Sequence, residues 1–113
     1  MGDDWESSQV ALLRVDARHE GPEATITVEG ELDHTTVEQF RICVLEVLDT
    51  KPRSITVDAA AVRYTDSFGL SALLRARGLA FVDQVAFRIR DPSPQMRRLV
   101  EMSGTQDLLL PDE

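Results

Sequence analysis

Two short polar clusters hold the residue types that could do chemistry. In "RYTDSFGLSALL", residues 63–74, Asp66 and Ser67 stand directly before an apolar run with helical spacing. In "GELDHTT", residues 30–36, Asp33, His34 and Thr35 stand before another. A serine at a strand-to-helix junction lies beside the unpaired backbone N–H groups of the first turn. Its plain reading is an N-cap, a contribution of about 1 kcal/mol. Its sharper reading is a phosphoacceptor, because free N–H groups and the helix dipole stabilise an anion at that end. A phosphate there would add about −1.5 to −2 charge and three acceptor oxygens, which any partner docking on that surface would feel. Gly69, two places on, permits the close backbone approach that a kinase cleft or a docked partner requires. Asp33, His34 and Ser67 also supply the acid, imidazole and hydroxyl of a hydrolase triad. Against that reading, Asp33 and His34 are adjacent in sequence, and no Gly-x-Ser-x-Gly elbow is present.

Other reactive side chains are few. Cys43 is the only cysteine, so no internal disulfide forms, and with two histidines it is too little for a zinc cluster. No cofactor or metal is called for, and a reducing compartment is expected. Cys43 falls at the edge of an apolar helical face, where a small core residue is the ordinary reading. The 113 residues fit one domain, and 42% hydrophobic with 28% charged residues is ordinary for a globular chain. Twelve Lys and Arg against 20 Asp and Glu give a net charge of −8, which repels nucleic acid and anionic membranes and leaves proteins as the expected partners. "MGDDWESSQV" has neither a basic nor an apolar leader segment, and no run approaches the ~18 apolar residues of a membrane span, so a cytoplasmic protein is expected.

The elements that must position the two clusters follow from periodicity. Residues 1–8 read as a flexible tail, 9–110 as one domain and 111–113 as a polar stub. "VALLRVDAR" (10–18) reads as a strand, Gly21-Pro22 as a turn, and "ATITVEGEL" (24–32) as a second strand with period-2 alternation that Gly30 breaks. Thr35 to Glu38 fits a capping box, so a helix is predicted with Val37, Phe40, Val44, Val47 and Leu48 on its inner face and Ile42 off it. Lys51-Pro52 stops that helix, and "SITVDAAAV" (54–62) reads as the third strand. A second helix runs from Asp66 or Ser67 through Leu70, Leu73 and Leu74 to about Phe81, weakened by Gly78. "VAFRIRD" (85–91) gives the fourth strand. Ser93 as N-cap, Pro94 at N1 and Gly104 past the end bound a last helix, with Leu99 and Val100 facing inward. Arg75, Arg77, Arg97 and Arg98 fall on predicted helix surfaces. Strands alternating with helices imply parallel pairing after the N-terminal hairpin, hence an α/β domain with a mixed four-stranded sheet and helices packed on one side.

These segments carry a resemblance. "DSFGL" (66–70) resembles the Asp-Ser-Ser/Thr-Gly-Leu signature of STAS domains of the bacterial anti-sigma factor antagonist type. "GELDHTT" (30–36) resembles their Gly-Glu-Leu-Asp segment, and "DPSPQMRRLVEMSG" (91–104) their closing loop and helix. The resemblance spans roughly residues 8–110, with Phe68 standing where the family often has Ser or Thr. It implies a partner-switching protein. Unphosphorylated, it binds an anti-sigma factor and frees a sigma factor; the anti-sigma factor, a serine kinase, inactivates it with ATP, and a phosphatase reverses the step. Carried over by position, Ser67 is the phosphorylation site. Asp66 and Gly69 shape its loop, and Asp33 lies on the neighbouring loop, so that Asp33, His34, Thr35, Asp66, Ser67, Phe68 and Gly69 form the partner-binding surface. A non-switching STAS scaffold in a larger signalling complex is the alternative within the family, and a small serine hydrolase the alternative outside it.

Overall fold

Alternation of apolar and polar residues dictates the sheet. A computed structural model describes residues 12–111; the expected tail over residues 1–8, the start of the first strand at 10–11 and the last two residues of the stub lie outside that range. Within it, β1 (Leu13–Glu20) pairs antiparallel with β2 (Glu23–Leu32) across a Gly21-Pro22 turn, where Gly21 takes φ 58°. Parallel pairing continues through β3 (Ser54–Thr65) to β4 (Ala86–Arg90), in the spatial order β1-β2-β3-β4. On β2, Ala24, Ile26, Val28 and Leu32 are buried, while Thr25, Thr27 and Glu29 lie on the more open face. Register puts Leu13, Ile55, Val57, Phe87 and Ile89 on the same buried face.

The helices cover that face. α1 (Val37–Asp49) connects β2 to β3, α2 (Ser67–Val82) connects β3 to β4, and α3 (Pro94–Ser103) and the short α4 (Gln106–Leu109) follow. Phe40, Val44, Val47 and Leu48 of α1 are buried and Ile42 is exposed, as the helical spacing requires. α2 buries Leu70, Leu73, Ala76 and Ala80. α3 keeps the predicted bounds: Ser93 Oγ accepts from Met96 N at 3.2 Å, and Gly104 closes it at φ 74°. Its deepest residues are Met96 and Val100, with Leu99 only partly buried. Leu109 and Leu110 complete the core from a segment the periodicity did not single out.

Three expectations about the elements need correction. Gly30 does not break the alternation of β2: it is buried in phase with Val28 and Leu32. Its φ of 109° and the backbone of Leu12, which lies where a Cβ would stand, make it a point of close strand approach inside a strand running on to Leu32. β3 runs on to Thr65, three residues past the predicted end. Its register slips against β2 between Thr27 and Glu29 and again between Gly30 and Glu31, each time inserting a residue on the β3 side. These bulges change the spacing of buried positions from Val57, Ala59 to Val62, Thr65, so simple alternation fails there. The capping box at Thr35 does not form either. The N-cap is Thr36, and Glu38 turns outward to pair with Arg41, its Oε1 accepting from Arg41 Nε at 3.0 Å.

Candidate functional site

The bulged end of β3 and the loop after β2 converge at the N-terminus of α2. Asp66 is the N-cap: its backbone is extended (φ −101°, ψ −174°) and its Oδ1 accepts from Gly69 N at 2.9 Å. Ser67 is therefore the first helical residue, not the cap. It is exposed, and its hydroxyl has no hydrogen-bond partner among the described residues. Because the carboxylate beside it meets the capping requirement, the Ser67 oxygen is left free at an end rich in N–H donors.

Asp66 also ties the two clusters together. Its Oδ2 accepts from His34 N at 3.1 Å and lies 3.3 Å from His34 Nδ1. Burial pulls the Asp66 pKa upward, but the amides of Gly69 and His34, the His34 ring and the Phe68 amide outweigh it, so Asp66 titrates below the ordinary carboxylate range. The His34 ring stands 6.0 Å from the Phe68 ring at an interplanar angle of 54°, and Phe68 is 61% exposed. The result is an apolar edge one residue from the serine hydroxyl.

Asp33 builds the neighbouring loop. Its Oδ1 accepts from Thr35 N at 2.9 Å and from Thr35 Oγ at 2.7 Å, an Asx turn; the Thr35 hydroxyl is the main cause of its lowered pKa. Thr35 therefore serves Asp33 rather than the helix. The hydroxyl that fixes this loop from below is that of Thr36, which donates to Glu31 O at 2.8 Å and accepts from Asp33 N at 3.0 Å. Thr36 is buried. Nothing in two adjacent threonines marks which of them faces inward.

The close approach permitted by Gly69 proves to be internal. A Cβ on Gly69 would collide with the backbone carbonyl oxygen of Leu32 and lie 2.7 Å from Thr65 Cγ2. The first turn of α2 is thus pressed directly onto the end of β2, and glycine is what lets it sit there. Gln95, at the start of α3, completes the frame beyond the end of β4: its Oε1 accepts from Thr65 N at 2.9 Å and its Nε2 donates to Thr65 O at 2.7 Å. A side-chain amide thus stands in for the missing strand. No sequence pattern pointed to Gln95.

Asp33, His34, Thr35, Asp66, Ser67, Phe68 and Gly69 come together as one cluster, with His34, Thr35, Ser67 and Phe68 exposed, Asp33 and Asp66 half-buried and Gly69 beneath them. They are not arranged as a hydrolase triad. His34 engages Asp66 rather than Asp33, the Asp33 carboxylate is held by Thr35, and no hydrogen bond joins His34 to Ser67. Among the described residues no group of acidic, His and Cys side chains could hold a metal ion, and no helix is long and apolar enough to cross a membrane. Cys43 is half-buried, and burial, then Glu46 and Asp16, push its thiol pKa up, away from reactivity.

Comparison with known proteins gives this geometry a context. The family model for the MlaB STAS domain matches residues 15–111. A STAS-domain containing protein of Pseudomonas aeruginosa strain UCBPP-PA14 is 30% identical over 89 residues, 79% of this chain and 87% of that protein. The Bacillus anti-sigma factor antagonist SpoIIAA superposes in its unphosphorylated form with a TM-score of 0.70 at 25% identity, covering 85% of each chain. Its phosphorylated form gives 0.68 at 22% identity, covering 85% of this chain and 88% of that one. An anti-sigma factor antagonist from Mycobacterium paratuberculosis has the same fold, with a TM-score of 0.74 at 19% identity over 86% of this chain and 82% of that one. With the family model covering nearly the whole described chain and a curated relative matched along most of its length, this protein belongs to the STAS-domain family.

Proposed function

We propose that the protein is an anti-sigma factor antagonist, a non-enzymatic regulator whose association with an anti-sigma factor is switched off by phosphorylation of Ser67. The observation that carries this reading is the free, exposed Ser67 hydroxyl at the first turn of α2, next to a cap already supplied by Asp66. Solved neighbours that are anti-sigma factor antagonists, one of them known in phosphorylated and unphosphorylated forms, support it.

In this reading Ser67 Oγ attacks the γ-phosphorus of ATP in the kinase cleft, ADP leaves, and the hydroxyl proton is lost. The product anion sits at a helix N-terminus, so it leaves the fold intact. It changes the surface instead: about −1.5 to −2 charge arrives beside the Phe68–His34 edge, on a chain already at −8. Docking of the anti-sigma factor on that edge is weakened by desolvation and by charge. A phosphatase restores binding by hydrolysing the phosphoester. Asp33, Thr35 and Thr36 act by holding the adjoining loop in place, and Asp66 by fixing His34 and the helix start.

The exposed Phe68 favours a second reading, a scaffold that docks permanently through this apolar edge. Intact-mass measurement after incubation with ATP and the anti-sigma kinases of the source cell separates the two. One added phosphate, absent from Ser67→Ala, supports the switch; no added phosphate on a protein that still captures its partner supports the scaffold and overturns the switch.

A further inference from the structure

Away from Ser67, the outer surface of α1 and α2 carries a repeated pattern that the proposed switch does not use. α1 presents Arg41, Leu45 and Asp49, and α2 and its C-cap present Arg75, Leu79 and Asp83, so each leucine has arginine four residues before it and aspartate four after. Four residues is just over one turn, about 6 Å along the axis, so all three side chains of each set lie along one face. Because β2, β3 and β4 are parallel, the two connecting helices run the same way. Both arginines therefore lie toward the Phe68 end, where Arg41 and Arg75 line a groove of about 290 Å³. Both aspartates lie at the other end, where Asp49 and Asp83, with Lys51 nearby, line a groove of about 570 Å³.

The surface between these ends is apolar and uncovered. Leu45 is 40% exposed, Leu79 42%, Ile42 45% and Val82 76%. Arg75, Asp49 and Asp83 make no ion pair among the described residues, while Arg41 is held by Glu38. With Arg41 neutralised by Glu38 and Lys51 lining the aspartate groove, the charges that flank the apolar waist on α2 are Arg75 before Leu79 and Asp83 after it, a pair that is complementary to its own two-fold copy.

We infer that this face takes a second copy of the chain, forming a two-fold homodimer. The charge pattern selects the arrangement. An axis crossing both helices at Leu45 and Leu79 stacks α1 on α1 and α2 on α2 antiparallel. It sets Arg75 over Asp83 of the second copy and Asp83 over its Arg75, the reciprocal contacts of an isologous interface. The other two-fold choice, with the helices parallel, sets Arg75 over the Arg41–Glu38 pair and Asp83 over Asp49, and forgoes both reciprocal ion pairs. The apolar part is small, four partly exposed side chains per copy. It falls below the ~800 Å² per partner of a standard stable interface, so the dimer is weak and reversible. Ser67 lies twelve residues before Leu79, about 18 Å along α2, and stays outside the contact. The inference rests on no part of the phosphorylation reading.

Sedimentation equilibrium of the full chain, from low micromolar to near-millimolar concentration, tests it. The wild type should move from 12.6 kDa toward about twice that mass. Leu79→Glu and Val82→Glu, both at exposed positions, should stay monomeric with unchanged far-ultraviolet circular dichroism. Arg75→Asp and Asp83→Arg should each weaken the dimer at least tenfold, and the double charge swap should bring the dissociation constant back to within a few-fold of wild type. A wild type that remains at single-chain mass throughout, or a double swap no tighter than either single variant, overturns the proposal.

Discussion

Replacing Gly69 with alanine probes the frame of the site, and a second glycine in the same helix provides an internal control. At Gly69 a Cβ meets the Leu32 carbonyl oxygen and stands 2.7 Å from Thr65 Cγ2, atoms held by a strand and by the buried end of β3. Neither is the free end of a flexible side chain, so α2 must shift away from β2. Overpacking of this kind costs about 1–3 kcal/mol. Shifting the first turn also strains the Gly69 N to Asp66 Oδ1 cap bond, itself worth about 1 kcal/mol. Alanine recovers about 0.5–1 kcal/mol of helix preference over glycine, leaving a net loss of about 1–3.5 kcal/mol. At this chain length each kcal/mol moves the melting temperature by roughly 4 °C, so Gly69→Ala should melt about 4–14 °C lower. At Gly78 nothing lies within 4 Å of an added Cβ. Gly78→Ala should therefore gain about 0.5–1 kcal/mol and melt about 2–4 °C higher. Thermal and urea denaturation at low protein concentration measure both. Two shifts of the same sign, or a Gly69→Ala protein as stable as wild type, would refute the claim that α2 is seated on the β2 carbonyl.

Three further outcomes follow from the same frame. Thr36→Val removes a buried hydroxyl that both donates to Glu31 O and accepts from Asp33 N, and should cost about 1–3 kcal/mol in urea titration, whereas Thr35→Val, at the exposed Asx turn, should cost under about 1 kcal/mol. Gln95→Leu leaves the backbone N–H and C=O of Thr65 without partners and should destabilise by about 2–4 kcal/mol, read as an earlier urea midpoint with unchanged slope. Asp66 has a lowered pKa in the folded chain, so its ionised form favours folding above the unfolded value of about 3.9, and that contribution fades as the pH falls through the folded value. The stability difference between wild type and Asp66→Asn should accordingly be largest near neutral pH and close as the pH falls through the lowered folded-state value; a gap that widens in acid would show that the carboxylate is not what holds His34 and the helix start.

Much of this architecture was legible because local signals agreed with tertiary needs. The alternation in Ala24, Ile26 and Val28 marked a half-buried strand, the spacing of Phe40, Val44 and Val47 marked a helix face, and Ser93-Pro94 with Gly104 bounded α3 to the residue. Local reasoning failed where long-range contacts decide. Gly30 suggests a break in the alternation, yet it stays in phase on the buried face, and the lack of a Cβ is what lets the Leu12 backbone approach. The end of β3 escaped notice because two bulges break the alternation that identifies a strand. The connection after α2 has no glycine, and Gln84 itself adopts the left-handed conformation at φ 61°. At the site, the residue types and their convergence were readable from two motifs. The division of labour between Asp66 as cap and Ser67 as free hydroxyl was not, since either residue can cap. Nor was the role of Gly69, whose reason lies in a carbonyl 37 positions upstream at Leu32, or the outward turn of Glu38 toward Arg41 in place of a capping box.

The central claim is that a negative charge on the Ser67 oxygen changes binding without changing the fold. The most direct measurement is calorimetric titration of the anti-sigma factor with the unphosphorylated protein and with the same protein phosphorylated at Ser67, beside melting curves of both. The account predicts an affinity at least tenfold weaker for the phosphorylated form, with melting temperatures that agree within a few degrees. Equal affinities, or a loss of binding that accompanies loss of the folded state, would contradict it.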